Sequence, residues 1–579
     1  MGKLTAVLVG CVLAITGCVS MPSSGPVRAY NVTQGISGGE EQYLQVNAVG
    51  PSNGWGPQQV VQGFLAANAS FAQNHQIARE YLAGPESAGW NPGWSAKVFS
   101  DDGPDVALTG VSARTAEVTI SGEVQANVGE TGAYAAYAVP QAANASQSIV
   151  IDLVKTDGQW RISKPPSMLL LSAVDFAADY QSRNLYFFNP GWTWLVADPV
   201  YVPLEAGRAD PTNLLLGLVR DLISQPQDWL SNDATTTAFP PRTKVSQVTL
   251  AGETAAVYLT GPVATAKEAV LQQITAQLLW TLGGSGNSPA VTSVELFLDG
   301  KVWTPLGAGN VPVQQQSSYS KYAPPSGAGS GTFYYLDSQG DVLQRSGPNG
   351  QPAKVYTASA KGPKFSDIAV SPDGKYLAGT SGGWVYTAAI GGQPQRRVQG
   401  TFTSLSWDYK DQLWIAGTDG VEVVQGSTAT PVTVMSCDTN RVTASVTALR
   451  VAPDGVRVAM IVGGSELSFG AIVASQAGVT ICESPFSVNG SDLTGLTWYG
   501  AGDVIALSGT GGESAAVEYP VNGGTPTRIP SAANMVNITA SSGNPLIGSF
   551  ANGEISYNES VNGAWISLNG AGQSAVYPG

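Results

Sequence analysis

Few side chains in this sequence combine the type and spacing that chemistry requires. Its one histidine, His75, stands in an early helical stretch with no second imidazole to complete a zinc site, so it reads as a structural residue. Gly379-Thr380-Ser381-Gly382-Gly383 has the form of a nucleophile elbow. That device needs a histidine base and a strand-to-helix turn, whereas the flanking pattern here is strand and turn. A pair of carboxylates could cleave a glycoside without histidine, and the 42 Asp and Glu leave that route open, yet no acidic pair stands in a distinctive context. The glycines of 327–331 lack the strand and helix that flank a phosphate cradle, and no calcium-loop spacing occurs. No catalytic residue, cofactor-binding residue or metal ligand is assigned, no cofactor is expected, and the chain is read as a binding protein rather than an enzyme.

The cysteines are more informative. Lys3, an apolar run over 4–15 and then Thr16-Gly17-Cys18 form a short positive segment, a hydrophobic core and small residues before a cysteine. The run is too short to span a bilayer. This is the pattern of a lipoprotein signal peptide, with residues 1–17 removed, Cys18 carrying diacylglycerol and a further acyl chain such as palmitate, and 18–50 serving as a tether. Two or more acyl chains, at about 0.8 kcal/mol per buried CH₂, hold a protein far better than one. The expected location is the outer face of the plasma membrane. Removal of the signal peptide takes Cys11 and leaves Cys437 and Cys482, which in an oxidising compartment are either one disulfide or two buried thiols. A bridge closing about 45 residues would stabilise the fold by roughly 4 kcal/mol in the chain-entropy picture.

The net charge is −14 with only 12% charged residues, which argues against nucleic acid and against electrostatic attachment to anionic lipid. Some 560 residues after the signal peptide are enough for three or four domains with real cores.

Those domains can be placed by periodicity. From Pro57, the residues Val60, Val61, Phe64, Leu65, Asn68 and Phe71 fall at helical spacing, and a short second helix is expected over 77–82. Residues 116–124 and 148–154 alternate as strands, and Thr156-Asp157-Gly158 turns into Gln159-Trp160-Arg161-Ile162. Helices followed by a curved antiparallel sheet define an α+β domain over 51–182. The aromatic strip from Arg183 to Pro203 reads as a β-hairpin, either core or an exposed platform. It leads a unit of order α-β-β-α-β, with helices around Leu214–Ile223 and 264–282 and strands at 244–250, 254–259 and 291–298, so that the second domain spans 183–308. The two earlier domains could pack as one rigid unit. A Gln-, Ser-, Pro- and Gly-rich stretch at 309–331 is read as a linker.

Residues 332–579 repeat. Segments centred on Ile368, Leu405, Leu449, Leu496 and Ile538 echo one another at spacings of 37, 44, 47 and 42 residues, the length of one four-stranded blade. An all-β propeller of about six blades is predicted, closed by pairing 573–577 with the strands of 332–356. The Pro-Asp-Gly turns at Asp373 and Asp454 are expected to join an innermost strand to its neighbour as structural turns, not as metal ligands.

Three resemblances rest on these residues. The hairpin at 156–162 looks like the closing hairpin of nuclear-transport-factor-like (NTF2-like) domains. "LLLGLVRDLISQP", "FPPRTKVSQVTLAGETAAVYLTG", "LQQITAQLLWTL" and "VTSVELFLDGKVW" resemble the GerMN domain of sporulation and germination proteins. The order of lipidation signal, α+β region, GerMN-like domain and propeller, with the strip "RNLYFFNPGW…LVADPVYVP", is similar to the LpqB-type lipoproteins of actinobacteria. That resemblance implies an accessory to the MtrA/MtrB two-component system, which would meet the extracytoplasmic part of the sensor kinase MtrB and affect envelope homeostasis and division. The alternative is an envelope protein that binds or processes peptidoglycan or another glycan.

Overall fold

The structure is a computed structural model. It describes residues 49–579 apart from 69, 71–74, 137–145, 205–210, 232, 284–289, 307–310, 326–330, 359–361, 438, 444, 477, 491, 510–511, 513, 525 and 531–532. The signal peptide, Cys11, Cys18 and most of the tether lie outside the described residues, as does Phe71. Val46–Gly579 forms one compact unit.

Helix α1 (Pro57–Asn68) turns Val60, Val61 and Phe64 inward, as its spacing predicts. The second helix is shorter than expected: α2 (Gln76–Arg79) ends early because the chain must leave it for the sheet, where the Ile162 N–H donates to Tyr81 O and Leu82 bridges to Ile162. A third short helix follows as α3 (Gly84–Gly89). The sheet comprises β1 (Ala96–Phe99), β2 (Asp105–Val111), β3 (Thr115–Val128), β4 (Tyr134–Ala136), β5 (Ser146–Thr156), β6 (Gln159–Lys164) and β7 (Leu169–Ser172). Its order is β6-β5-β3-β1-β7, with β2 and β4 also on β3. The 14-residue β3 is long enough to serve β2 and β5 with its first half and β1 and β4 with its second. One pair, β1 with β7, is parallel, a departure from the antiparallel expectation. At the β5–β6 turn, Asp157 (φ 50°) and Gly158 (φ 78°) are both left-handed, the conformation a two-residue hairpin demands.

Helix α4 (Ala173–Asp179), capped by the Ser172 hydroxyl accepting from Asp175 N at 3.0 Å, delivers the chain to β8 (Tyr180–Phe188) and β9 (Leu195–Pro203). The next unit has α5 (Pro211–Ser224), α6 (Asp228–Ser231), β10 (Lys244–Ala251), β11 (Thr254–Thr260), α7 (Glu268–Leu282), β12 (Ser293–Leu298), β13 (Lys301–Val302) and β14 (Val313–Gln315). β10–β11 is antiparallel and β11–β12 parallel, with α5 and α7 covering the sheet. Helix α7 starts later than its pattern suggests because Gly261 (φ 95°) and Pro262 set a 3₁₀ turn, Pro262–Thr265, ahead of it.

The linker reading of 309–331 is corrected in part. β14 pairs with β12, and the 3₁₀ helix Gln316–Tyr322 buries Tyr319, whose hydroxyl donates to Gln314 Oε1 at 3.0 Å. Polar composition concealed this, since the glutamine satisfies the tyrosine hydroxyl while the ring packs in the core.

Buried carboxylates in this unit give a pH signature. Asp221 on α5 is 9% exposed, its Oδ2 has no hydrogen-bond partner, and burial pushes its carboxyl up to about 7. A folded-state value above the unfolded one of about 3.9 means that its contribution is complete below pH 4 and lost as pH rises through 7. Asp221→Asn is therefore expected to unfold like the parent in urea at about pH 4 and to exceed it by on the order of 4 kcal/mol at pH 8. Equal stability of the two chains at pH 8 would remove the argument.

Five sheets complete the described residues: four are single four-stranded blades and one, of eight strands, holds two, so that six blades form. Blade 1 holds Thr332–Leu336, Val342–Ser346 and Ala353–Tyr356, and its fourth strand is Gln573–Val576, antiparallel to the first. The ring closes as the sequence predicts. The innermost strands of blades 2 to 6 are Asp367–Val370, Phe402–Trp407, Val446–Val451, Leu493–Tyr499 and Met535–Thr539. Each carries one of the five repeated aliphatic residues, and all five are buried.

Cys437 and Cys482 are joined, with Cα atoms 5.2 Å apart. The bond lies where the outermost strand of blade 3, Thr428–Met435, pairs in parallel with that of blade 4, Gly478–Asn489. Two blades thereby become one eight-stranded sheet.

Candidate functional site

All nine residues of β9 are buried. A two-stranded ribbon can bury one strand completely only if it is surrounded, and β9 touches three cores. Leu195, Val200 and Val202 enter the GerMN-like core with Phe187 and Phe188 of β8. Tyr201 enters the N-terminal core beside Phe176 at 4.9 Å and Tyr134 at 5.3 Å. Val196 packs with Trp229 and Leu230 of α6 against Val456 and Ala471 of the propeller. The aromatic strip is therefore core rather than an exposed platform; among its aromatic residues Trp192, at the turn, is 37% exposed.

Polar contacts fix the same docking. Tyr201 donates from its hydroxyl to Asn522 Oδ1 at 3.3 Å, and Asn522 Nδ2 donates to Ser182 Oγ at 2.7 Å. Gly523 (φ 85°) follows in the blade 5 loop, where a Cβ would collide with Tyr134. On the other side Trp194 Nε1 donates to Asp454 O at 3.0 Å, and the indole meets Tyr409 edge-on at 4.3 Å. Beneath it Asp454 and Arg457 form a buried ion pair at 2.7 Å, with the guanidinium 5.2 Å from the Trp498 ring centroid. In the middle of β9, burial pushes Asp198 up to about 7 against two hydrogen bonds donated by Gln227.

Trp194 also overhangs the mouth of the propeller. There the ends of the inner strands surround a cavity of about 470 Å³, roofed by Trp194, Pro324 and Pro325. The junction and this mouth form the concave, multi-domain surface that can receive a ligand or partner.

The sequence-derived candidates fall elsewhere. Buried His75, beside Trp90 at 5.6 Å, has its pKa lowered to about 4 by burial. Ser381 ends a strand that turns directly into the next strand through Gly382 and Gly383, so no elbow forms there. Asp373 caps its own turn, accepting from the backbone N–H of Lys375 and the Ser371 hydroxyl. Among the described residues, no group of three His, Cys, Asp or Glu could hold a metal ion. No described helix is long and apolar enough to cross a membrane. Asn522 and Trp194 were not legible as site residues, because a Val-Asn-Gly-Gly loop and an aromatic strip each have many structural uses.

Residues 50–177 match the N-terminal domain of lipoprotein LpqB, 184–303 match the sporulation and spore germination domain Germane, and 340–578 match the LpqB β-propeller domain. The chain belongs to the LpqB lipoprotein family. Its similarity to LpqB lipoproteins extends over nearly the full length: 29% identity to that of Thermobifida fusca over 94% of both chains, and 29% to that of Streptomyces avermitilis over 99% of this chain and 97% of the relative. The LpqB lipoprotein of Mycolicibacterium smegmatis is 26% identical over 94% of this chain and 92% of its own. All of β9 and the larger part of β8 fall within the Germane match, so in this LpqB-family chain the central domain carries the strand that joins the other two.

Proposed function

We propose that this chain is a lipid-anchored accessory protein on the outer face of the plasma membrane, which binds the extracytoplasmic part of the sensor kinase MtrB and modulates MtrA/MtrB output. The observation that carries the reading is the match to LpqB lipoproteins across all three domains. The packing supports it, since three cores gathered on β9 make a single body that presents one composite surface to a partner.

Two experiments test the parts separately. Labelled palmitate is expected to enter the native chain and not Cys18→Ala, which should also keep residues 1–17 and run heavier. Equal labelling would eliminate Cys18 as the anchor. Cross-linked membranes bearing the tagged lipoprotein should yield the kinase by mass spectrometry, and a secreted, unacylated form should yield less. Absence of the kinase, together with unchanged MtrA phosphorylation on deletion, would refute the regulatory reading; recovery of wall fragments instead would favour the glycan alternative.

A further inference from the structure

We propose that the propeller mouth is a binding site for a small organic anion, an acid group carried on an apolar or ring-shaped body. The cavity of about 470 Å³ is in the range of sites for such molecules. Its walls include Leu405, Trp407, Val451, Trp498 and Ile538. Those surfaces would stay wet around a bare inorganic ion, so they favour a ligand with a carbon body.

Arg450 supplies the charge. Among the lining residues it is the one side chain that is permanently ionised. Its Nη1 donates to Ser404 Oγ at 2.7 Å and Leu449 O at 2.9 Å, which fixes the guanidinium plane. Among the described residues, no hydrogen bond or ion pair engages Nε or Nη2, and these are the donors that grip a carboxylate in a fork. Asp367 of blade 2 is close enough to act on Arg450 electrostatically but forms no ion pair with it. An incoming carboxylate would provide the counter-charge.

Other polar groups at the mouth are set for a ligand. Thr497 and Thr539 each accept a backbone N–H, from Ala540 at 3.1 Å and Tyr577 at 3.0 Å, which leaves their hydroxyl protons to donate. Asn537 Oδ1 is buried in the cavity wall without a partner and can accept an N–H or O–H. Because Trp194 and the prolines of the roof come from outside the blades, an occupant would touch both the propeller and the arm docked on it.

The test uses the mature chain carrying Cys18→Ser, exported behind a cleavable signal peptide so that it is soluble and oxidised. Two probes with the same rings are titrated by fluorescence: anilinonaphthalene sulfonate, which is anionic, and N-phenylnaphthylamine, which is neutral. One anionic probe should bind per chain. Arg450→Gln should weaken it about tenfold and leave the neutral probe unchanged. Ala501→Trp, at a half-buried loop position on the rim, should weaken both and does not depend on Arg450 or the strands tolerating change. Displacement by dodecanoate would identify the end of an acyl chain as the natural source, and displacement by N-acetyl-dialanine the carboxyl terminus of a peptide. Probe binding indifferent to both substitutions, or displaced by neither acid, would overturn the proposal.

Discussion

Asp454→Ala is expected to destabilise the protein by about 3–5 kcal/mol, the range for leaving one member of a buried ion pair alone. Asp454 Oδ2 holds Arg457 Nε at 2.7 Å, with both side chains about 95% buried, while Oδ1 accepts from the N–H groups of Val456 and Arg457 at 2.9 Å each. Alanine removes all three bonds and strands a guanidinium whose Nη1 already has no partner. The backbone carbonyl of the same residue receives Trp194, so the damage should extend to the docking of the hairpin. Denaturant unfolding followed by tryptophan fluorescence measures the loss, and proteolysis within β8–β9 reads the undocking. Asp454→Ala combined with Arg457→Met should be milder than Asp454→Ala alone, because it removes the orphaned charge. A single variant as stable as the parent would show that the pair carries no such weight.

Removing the disulfide is expected to cost a similar amount. Cys437 and Cys482 are 45 residues apart, and closing a loop of that length restricts the unfolded chain by about 4 kcal/mol in the entropic account. The bond also pins the parallel pairing of two outermost strands, a junction with only three paired positions between blades 3 and 4. The Cys437→Ser, Cys482→Ser chain should therefore unfold at lower denaturant than the oxidised parent, and reduction of the parent should bring the two together. Coincident unfolding before reduction would contradict this.

Much of the architecture was legible because it is written in local periodicity. A helical stripe at Val60, Val61 and Phe64 has one face to bury, and repeats about 40 residues long cannot bury their faces unless blades stack side by side. The Asp-Gly turn at 157–158 was equally clear, since few other residues take positive φ at both positions. The candidate site was not legible, because its members are separated by hundreds of residues and come from different domains. Trp194 and Asp454 are 260 residues apart, and Tyr201 and Asn522 are 321. No pattern within a window of the chain connects them. The linker failed for a related reason: Gln314 and Tyr319 are polar in isolation and become core only when β12 supplies an edge.

The two Pro-Asp-Gly turns show where the division falls. Sequence by itself determined that both Asp373 and Asp454 sit in tight turns after an innermost strand, because proline and glycine fix the backbone dihedrals there. The tertiary structure decided what each does. Asp373 lies at the surface, where its ion pair with the largely exposed Lys375 is solvated and contributes about 0–1 kcal/mol. Asp454 lies beneath the hairpin, where Trp194 and the walls of the junction exclude water and its pair with Arg457 becomes one the fold cannot lose. Local dihedral preference is a property of neighbouring residues and can be read in order, whereas the strength of a charge depends on what surrounds it, and that is known only when distant segments meet.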